Sequence, residues 1–432
     1  MNPLIGLVGT VFMILMVLVG IPVFVSMCVV SIVGLWLIGG WDFMLIQFTT
    51  GPFNVSASYQ FAVIPLFVLM GMLAGESKVG TWAYEAIRRW IGKLRGGLLI
   101  ATIFGNMAFG ACSGMSTAGT AVFAKIALPE LKRAGYDEGI SMGCITAAGS
   151  LSSLIPPSMP ILLFSILCNV SIGKAFMAGI GPGILMAILY SAVILLYARF
   201  KPNAFPILET KYDVSSRIKG LVLLAPIMVL FLIVIGGIYA GVFTPTVGGA
   251  IGSVAALLLA LISGTSLKAI IQCLWNAARA NGRIFPIIMS AMMFSRFIAL
   301  SELPQQVGVW IQKSGLSSFS VYMMCMAFYL CIGCFMDVPS IIFITSPIVF
   351  PLLTNMGFDP LVVVISFVFM AETAGLTPPF GLAVFFLSSL LNVHSTKIFR
   401  AVWPFVIVNI MIVILFGAYQ DIVTMIPKLL YK

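Results

Sequence analysis

The amino-acid sequence predicts an all-α polytopic membrane protein, and its apolar composition and internal repetition carry that prediction. Of the 432 residues, 61% are hydrophobic and 8% are charged, whereas about 25% of the residues in a soluble domain are charged. The apolar runs, such as residues 221–239 and 361–371, are continuous and do not alternate with polar residues. Because a backbone in lipid must satisfy its own hydrogen bonds, continuous runs indicate membrane-spanning helices rather than the strands of a β-barrel.

The two halves of the chain share a pattern when the sequence is shifted by 222 residues. This shift places Pro129 on Pro351 and the Pro-Pro pair at 156–157 on the pair at 378–379. Doubled prolines that coincide at one constant offset are improbable by chance. The chain is therefore predicted to consist of two homologous repeats.

Loop charge predicts how the two repeats are oriented. The segments on both sides of residues 98–124 are rich in Lys and Arg, whereas the equivalent segments of the second half, residues 301–319 and 351–360, contain only Lys313. By the positive-inside rule, the first pair of segments faces the cytoplasm and the second pair faces outward, so the repeats are inverted. Since both ends of residues 98–124 lie on one side, this segment is predicted to be a re-entrant helical hairpin, with residues 321–350 as its mirror image.

The predicted topology is that of a bacterial inner-membrane protein whose N-terminus lies in the periplasm. Spans are predicted near residues 4–20, 22–38, 60–76, 176–198, 219–239, 245–263, 284–300 and 402–418. A discontinuous helix follows each hairpin, at residues 139–169 and 360–391. Inverted repeats with hairpins and broken helices place polar backbone halfway through the membrane.

Four segments are therefore candidates for the site, namely the two hairpin turns and the two helix breaks. Unwound turns expose carbonyl groups that coordinate cations, and the N-termini of half-helices attract anions. Hydroxyl and carbonyl oxygens are hard ligands that suit Na⁺, although small residues in membranes also serve close helix packing alone. The candidate cation ligands are Ser113, Gly114, Ser152, Ser153, Gly333, Asp337, Thr373 and Thr377. The candidate substrate contacts are Ser116, Thr117, Ser158, Ser340 and Arg296.

Ionisable residues inside spans cost about 2.5–3.5 kcal/mol each on insertion scales, so each needs a reason. Asp337 and Glu372 lie beside the proposed breaks. For each of them two roles are open, namely ligation of a cation or capping of a broken helix. Three roles are open for Arg296: contact with a substrate carboxylate, an ion pair with an acidic residue, or extension of its side chain to the outer membrane interface. The sequence contains no P-loop, HExxH, GxSxG or zinc-spaced motif, so no catalytic residue is predicted.

Several stretches carry a family resemblance. They are LPELKRAGYD at 128–137, IPPS at 155–158, VSIGKAFMAG at 170–179, GVFTPT at 241–246, Asp337, and GLTPPFGL at 375–382. Together they resemble the large membrane subunit of the tripartite ATP-independent periplasmic (TRAP) transporters. The first hairpin turn departs from the family pattern, because Ala111 and Met115 stand where that pattern has Ser, and Gly119 stands where it has Asp.

The resemblance implies Na⁺-driven uptake of an organic acid by an elevator movement, with no organic cofactor. The expected substrate is a C4-dicarboxylate or a similar carboxylate such as a sialic acid. The expected partners are an extracytoplasmic substrate-binding protein, a small four-helix membrane subunit and the lipid bilayer, with no nucleic acid. Carried over by motif, Ser113, Gly114 and the break before Pro156 serve one cation site, and Asp337 and Thr377 serve its mirror.

This resemblance also implies a division into a scaffold and a transport domain. Residues 1–97 and 220–318 form the scaffold parts, 98–175 and 319–400 the two transport-domain halves, 176–198 a connecting span, 199–219 a cytoplasmic linker, and 401–432 the last span and tail. Three alternatives stay open. They are a standalone ion-coupled carboxylate transporter, a membrane transferase that uses Asp337 and Glu372 as an acid–base pair, and a passive channel.

Overall fold

The computed structural model describes residues 3–207 and 213–430, and every regular element in these ranges is helical. Part of the predicted linker, residues 208–212, lies outside the described residues, as do residues 1–2 and 431–432 at the ends of the predicted domains. The helices are Pro3–Leu18, Val23–Ala57, Tyr59–Glu76, Val79–Ile91, Gly97–Ser113, Ser116–Arg133, Glu138–Ser152, Met159–Leu167, Ile172–Phe200, Val214–Tyr239, Pro245–Ile262, Leu267–Ser301, Leu303–Ser314, Ser318–Gly333, Val338–Asn355, Pro360–Ala374, Leu382–Leu391, Ser395–Ala418 and Asp421–Leu430.

Within the described ranges, eight helices are long and apolar enough to cross a membrane, or nine if one bent pair counts as a single span. They are Val23–Ala57, Tyr59–Glu76, Ile172–Phe200, Val214–Tyr239, Pro245–Ile262, Leu267–Ser301, Val338–Asn355 and Ser395–Ala418. The bent pair consists of Glu138–Leu154 and Met159–Leu167, which meet at 44°. The prediction of an all-helical polytopic membrane protein is confirmed.

Two of the predicted spans are too short. The span predicted at 22–38 belongs to the helix Val23–Ala57, and the span predicted at 284–300 belongs to Leu267–Ser301, each of 35 residues. In the first case Gly40 adopts φ 82° and kinks the helix, which then continues. In both segments polar and charged residues bound the apolar run from which the span was predicted. The helix extends beyond the run because such residues do not interrupt its backbone hydrogen bonds.

Each repeat contains a helical hairpin followed by a helix that is broken in its middle. The first hairpin consists of Gly97–Ser113 and Ser116–Arg133, and the second of Ser318–Gly333 and Val338–Asn355. The first broken helix consists of Glu138–Ser152 and Met159–Leu167, and the second of Pro360–Ala374 and Leu382–Leu391. The initial part of each broken helix packs on the hairpin of its own repeat, whereas the final part packs on the opposite hairpin. The four elements therefore form one interlocked unit.

Six helices are here called the scaffold helices, and all of them except Val214–Tyr239, which packs mainly on Val79–Ile91, pack mainly on one another. They are Pro3–Leu18, Val23–Ala57, Tyr59–Glu76, Val214–Tyr239, Pro245–Ile262 and Leu267–Ser301. Close approach depends on small residues, since a Cβ at Gly34 would lie 2.2 Å from the ring of Phe297. Tyr59–Glu76 contacts the first hairpin and Leu267–Ser301 contacts the second hairpin. Val214–Tyr239 also contacts the first hairpin, so scaffold helices face both hairpins.

Candidate functional site

A cavity of about 290 Å³ lies where the hairpin turns and the helix breaks meet the scaffold helices. Its lining carries five hydroxyl or carboxyl side chains, namely Ser116, Thr117, Ser153, Asp337 and Glu372. All five belong to the hairpins and broken helices. The scaffold helices contribute the apolar side chains Val68, Ala280 and Ile284 to the lining. The polar groups of the cavity therefore lie only on the hairpins and broken helices, where apolar residues such as Met115 and Met336 also line it.

The first hairpin turn packs tightly on the first helix break. Gly114 adopts φ 63°, a left-handed conformation that favours glycine. A Cβ at this position would lie 2.0 Å from the carbonyl oxygen of Pro157. The Gly114 carbonyl also accepts a hydrogen bond of 3.2 Å from the backbone N–H of Met159. The turn is thus held by backbone contacts that leave no room for a side chain.

The hydroxyl groups at the first break differ in how they are engaged. Ser152 donates to the backbone carbonyl of Asn106 at 3.1 Å, and Ser158 donates to the carbonyl of Ser153 while its oxygen caps the helix Met159–Leu167. The Ser113 hydroxyl is buried and has no hydrogen-bond partner among the described residues. Among the candidates of the first repeat, the Ser113 hydroxyl is therefore a buried group whose missing hydrogen-bond partner a bound ligand would supply.

Asn106 is a residue of this site that the sequence reasoning missed. It is fully buried on the first hairpin, and its side-chain oxygen lies 3.3 Å from the Ser152 hydroxyl. A Cβ at Gly119 would lie 2.3 Å from that hydroxyl and 2.7 Å from the Asn106 oxygen. The space beside Gly119 is thus already filled. A polar residue in the apolar run of residues 98–112 was the available signal.

The second hairpin turn is wider and carries an exposed carboxylate. Asp337 precedes the helix Val338–Asn355 but makes no capping hydrogen bond within the described chain, and it lines the cavity. Cys334 lies 2.9 Å from the Thr377 hydroxyl, which donates to the carbonyl of Ala374. Of the two roles proposed for Asp337 from sequence, the geometry favours the one in which its carboxylate is available to a cation.

Four other candidates of the second half lie behind the cavity wall. Gly333 packs against Ala374, because a Cβ on Gly333 would lie 2.5 Å from the Cβ of Ala374. Thr373 is buried and donates to the carbonyl of Phe369 at 2.7 Å. Ser340 is buried, and Thr377 lines a separate shallow pocket beside Pro378 and Pro379. The hydroxyls of Thr373 and Thr377 donate to their own helices, which leaves lone pairs on both oxygens as acceptors.

Glu372 connects the two repeats. It is only 5% exposed, and the hydroxyls of Ser153 and Ser116 in the first repeat face its carboxyl group. It occupies the last turn of Pro360–Ala374, where the helix dipole disfavours a negative charge. This position disfavours a role in capping its own helix, and the carboxyl group lines the cavity.

Arg296 is not brought to the cavity. Its side chain is exposed on Leu267–Ser301 and is not among the cavity-lining residues. Among the described residues that line the cavity there is no Lys, Arg or His. The predicted contact between Arg296 and a substrate carboxylate has no counterpart in this arrangement, because the arginine lies on an outer face of its helix.

Comparison with known proteins decides the family. The family model described as the tripartite ATP-independent periplasmic transporter, DctM component, matches residues 10–422. The chain belongs to this family. The large permease protein DctM of a C4-dicarboxylate TRAP transporter from Pseudomonas aeruginosa is 31% identical over 367 residues, covering 84% of this chain and 85% of that protein.

Other relatives have different named substrates. The large permease TeaC of an ectoine TRAP transporter from Halomonas elongata is 26% identical, with 97% of this chain and 98% of that protein covered. The large permease YiaN of a 2,3-diketo-L-gulonate TRAP transporter from Escherichia coli is 27% identical, with 86% and 87% covered. The solved structure of the YdaH transporter from Alcanivorax borkumensis has a TM-score of 0.69 at 15% identity, covering 92% of this chain and 97% of that chain, and shows the same fold.

These findings confirm the family that the motifs indicated. This TRAP protein is a large permease subunit, a multi-span membrane protein of a transport system and not an enzyme. The transferase alternative for Asp337 and Glu372 is therefore wrong.

Proposed function

We propose that this permease carries out Na⁺-coupled uptake of an organic acid by an elevator movement of the hairpins and broken helices against the scaffold helices. One observation carries the proposal: every hydroxyl and carboxyl group in the cavity lining belongs to the hairpins and broken helices, and the scaffold helices contribute Val68, Ala280 and Ile284. A polar site that resides wholly on one interlocked unit moves with that unit. An apolar wall lets the unit slide without breaking hydrogen bonds.

The charge of the cavity supports coupling to a cation. Asp337 and Glu372 supply two carboxyl groups, and the described lining residues include no basic side chain to balance them. An organic anion is repelled from such a cavity unless cations bind beside it. The hydroxyl, carbonyl and carboxylate oxygens there suit Na⁺. In this proposal Ser113, Gly114 and Ser153 serve the first site, and Asp337 and Thr377 serve the second.

Helix ends support binding of a carboxylate. Four helices begin at the cavity, and the first residues of each line it, namely Ser116–Arg133, Met159–Leu167, Val338–Asn355 and Leu382–Leu391. The N-terminus of a helix carries partial positive charge and free N–H groups that favour an anion. Ser116 and Thr117 add hydroxyl donors at the first of these ends. A C4-dicarboxylate or a similar carboxylate is the proposed substrate class.

The proposed setting is the bacterial inner membrane with a periplasmic N-terminus. The partners are an extracytoplasmic binding protein that delivers the substrate and a small membrane subunit. Family membership supports both partners, because the matched family is that of tripartite transporters.

The coupling test uses proteoliposomes that contain this permease, the small subunit and the substrate-loaded binding protein. An inward Na⁺ gradient is expected to drive accumulation of the acid, and replacement of Na⁺ by choline is expected to abolish it. Accumulation that continues unchanged in choline would refute Na⁺ coupling. Accumulation by the permease alone would instead support the standalone transporter.

The elevator movement has its own test, in a variant without the eight native cysteines. A short bifunctional thiol reagent that joins Val68→Cys on a scaffold helix to Met115→Cys on the first hairpin is expected to stop uptake. Joining Leu66→Cys to Ser253→Cys is the matched control, since the Ser253 hydroxyl contacts the Leu66 carbonyl at 2.7 Å between two scaffold helices. Equal uptake in both cross-linked proteins would contradict a sliding transport domain.

A further inference from the structure

The first part of the helix Leu267–Ser301, residues 267–283, here called the arm segment, has three distinct faces. One face is buried against the scaffold helix Tyr59–Glu76, where Cys273 contacts the carbonyl of Met72 at 3.7 Å. This buried face consists of Ile270, Cys273 and Ala277. The three- and four-residue spacing places them along one stripe of the helix. The arm segment is thereby fixed to the protein on one side only.

The other two faces of the arm segment are exposed and differ in chemistry. Leu267, Ile271 and Leu274 form an apolar stripe, in which Leu267 is 69% exposed. The neighbouring stripe is polar and basic, and its exposed members are Lys268, Gln272, Trp275, Asn276, Arg279 and Arg283. The Arg279 guanidinium group lies 5.8 Å from the centre of the Trp275 ring. An apolar face beside a basic face with Trp is the pattern of a helix that lies in a membrane interface.

The arm segment itself carries no negative charge, and the acidic residue near its buried face is Glu76 of the neighbouring scaffold helix, which lies close to Cys273. No Asp or Glu occurs between residues 214 and 301. Gln272 donates to Asn276 at 3.0 Å along the stripe, so the polar contacts there are neutral. The anionic headgroups of a cytoplasmic leaflet attract Lys and Arg held near the surface.

The equivalent segment of the first repeat provides an internal comparison. Residues 41–57 also follow a glycine with a left-handed backbone, Gly40 at φ 82°, as the arm segment follows Gly264 at φ 80°. The exposed residues of 41–57 include Trp41, Asp42 and Phe53, and this segment contains no Lys or Arg. The fold itself therefore does not require a basic stripe at this position.

We propose that the arm segment is a binding surface for acidic phospholipid headgroups, with Lys268, Arg279 and Arg283 supplying the charge and Trp275 anchoring the helix at the interface. The apolar stripe then faces the acyl chains, and the basic stripe faces the headgroups. Binding on this side stabilises the scaffold helix Tyr59–Glu76, which the arm segment braces. The proposal is independent of the ion and of the substrate carried.

The test compares lipid selectivity of the complete transporter, reconstituted with its small subunit into vesicles of phosphatidylcholine with 20% phosphatidylglycerol. Selectivity is read from energy transfer to a labelled phosphatidylglycerol or phosphatidylcholine, in a background in which the other six tryptophans are replaced by Phe so that Trp275 is the donor in this chain. The triple variant K268Q/R279Q/R283Q is expected to lose preference for phosphatidylglycerol by about five-fold per charge removed. The preference of the native protein is expected to fall as NaCl rises from 0.05 to 1 M, because salt screens surface charge.

Two substitutions at one position keep the test decisive if the triple variant inserts poorly. Gln272→Lys adds a charge to the stripe and is expected to raise the preference about five-fold, whereas Gln272→Ala leaves the charge unchanged and is expected to have no effect. Lys313→Gln removes an exposed basic residue outside the arm segment, and as a second control it is expected to leave the lipid preference unchanged.

Three outcomes would overturn the proposal. One is an unchanged preference in both the triple variant and Gln272→Lys. Another is an equal loss in Lys313→Gln, which would show a general charge effect. The third is a preference that appears only when the small subunit is left out, because the arm segment would then be covered by protein and not by lipid.

Discussion

The two repeats build their turns and breaks differently although they follow the same plan. In the first repeat only residues 114–115 separate the hairpin arms, and the break around Pro156 is buried. In the second repeat residues 334–337 separate the arms, Phe335 is 48% exposed, and Phe380 at the break is also exposed. Backbone contacts hold the first turn to its break. Side chains hold the second, namely Cys334 on Thr377 and Phe335 near Phe380, with ring centres 5.3 Å apart.

Charge is distributed just as unevenly. Both carboxyl groups in the cavity lining, Asp337 and Glu372, come from the second repeat, and Glu372 faces hydroxyls of the first repeat. The first repeat offers hydroxyl and carbonyl oxygens in a tightly packed frame. The comparison teaches that the two repeats share the positions of their turns and breaks but differ in chemistry. The first repeat supplies neutral groups from a tightly packed turn, whereas the second supplies both carboxyl groups and has the more open turn.

The largest expected effect tests the rigidity of the first turn. Gly114→Ala places a Cβ 2.0 Å from the Pro157 carbonyl oxygen in a left-handed residue, and we expect uptake to fall about 100-fold or more. Gly357→Ala is the control, since Gly357 is also left-handed at φ 90° and a Cβ there meets no described atom within 4 Å. Substrate uptake is measured at equal membrane expression. Similar uptake by both variants would show that the first turn is not rigidly packed.

The next effect tests the contact between the first turn and the scaffold. A Cβ at Gly71 would lie 2.3 Å from the carbonyl oxygen of Ser113, whereas a Cβ at Gly75, one turn along, has its nearest neighbour at 3.9 Å. We expect Gly71→Ala to reduce uptake about ten-fold, because two backbones must separate, and Gly75→Ala to leave it unchanged. If Gly71→Ala transports normally, the first hairpin does not need this close approach.

The third prediction sharpens the comparison of charge. Asp337→Asn keeps the shape of the side chain and removes its charge, so the Na⁺ concentration for half-maximal uptake is expected to rise about ten-fold. Ser113→Ala removes a neutral ligand from the first repeat and is expected to raise it about three-fold. Both are measured as initial uptake against Na⁺ at constant ionic strength. An unaltered Na⁺ dependence in both variants would place the ion elsewhere.

The smallest effect concerns the side-chain closure of the second turn. Thr377→Val removes the hydroxyl that lies 2.9 Å from the Cys334 sulfur, and modification of Cys334 by a maleimide is expected to become about three-fold faster. Thr377→Ser retains the hydroxyl and is expected to react at the native rate. The background carries Cys331→Ser, because Cys331 is exposed. Equal rates for Val and Ser would mean that this contact does not close the turn.

The sequence by itself determined the helical membrane fold, the two repeats and the family. These conclusions follow from composition, from the offset of the Pro-Pro pairs and from motifs, all of which are local in the chain. The same patterns predict oxygen ligands at the turns and breaks, and Ser116, Thr117, Ser153 and Asp337 from those segments line one cavity. The patterns fail at helix ends, because the helix Leu267–Ser301 already includes Arg279 and Arg283, which precede the apolar run predicted at 284–300.

Only the tertiary structure decided which of these groups face one another. It showed that Asn106 fills the space beside Gly119, that the Glu372 carboxyl reaches the opposite repeat, and that Arg296 is exposed and does not line the cavity. The physical reason is that ligand geometry depends on how distant helices cross and rotate. A pattern of apolar residues predicts that a helix is buried. The rotation of that helix about its axis, which decides where a polar side chain points, is set by packing against helices hundreds of residues away.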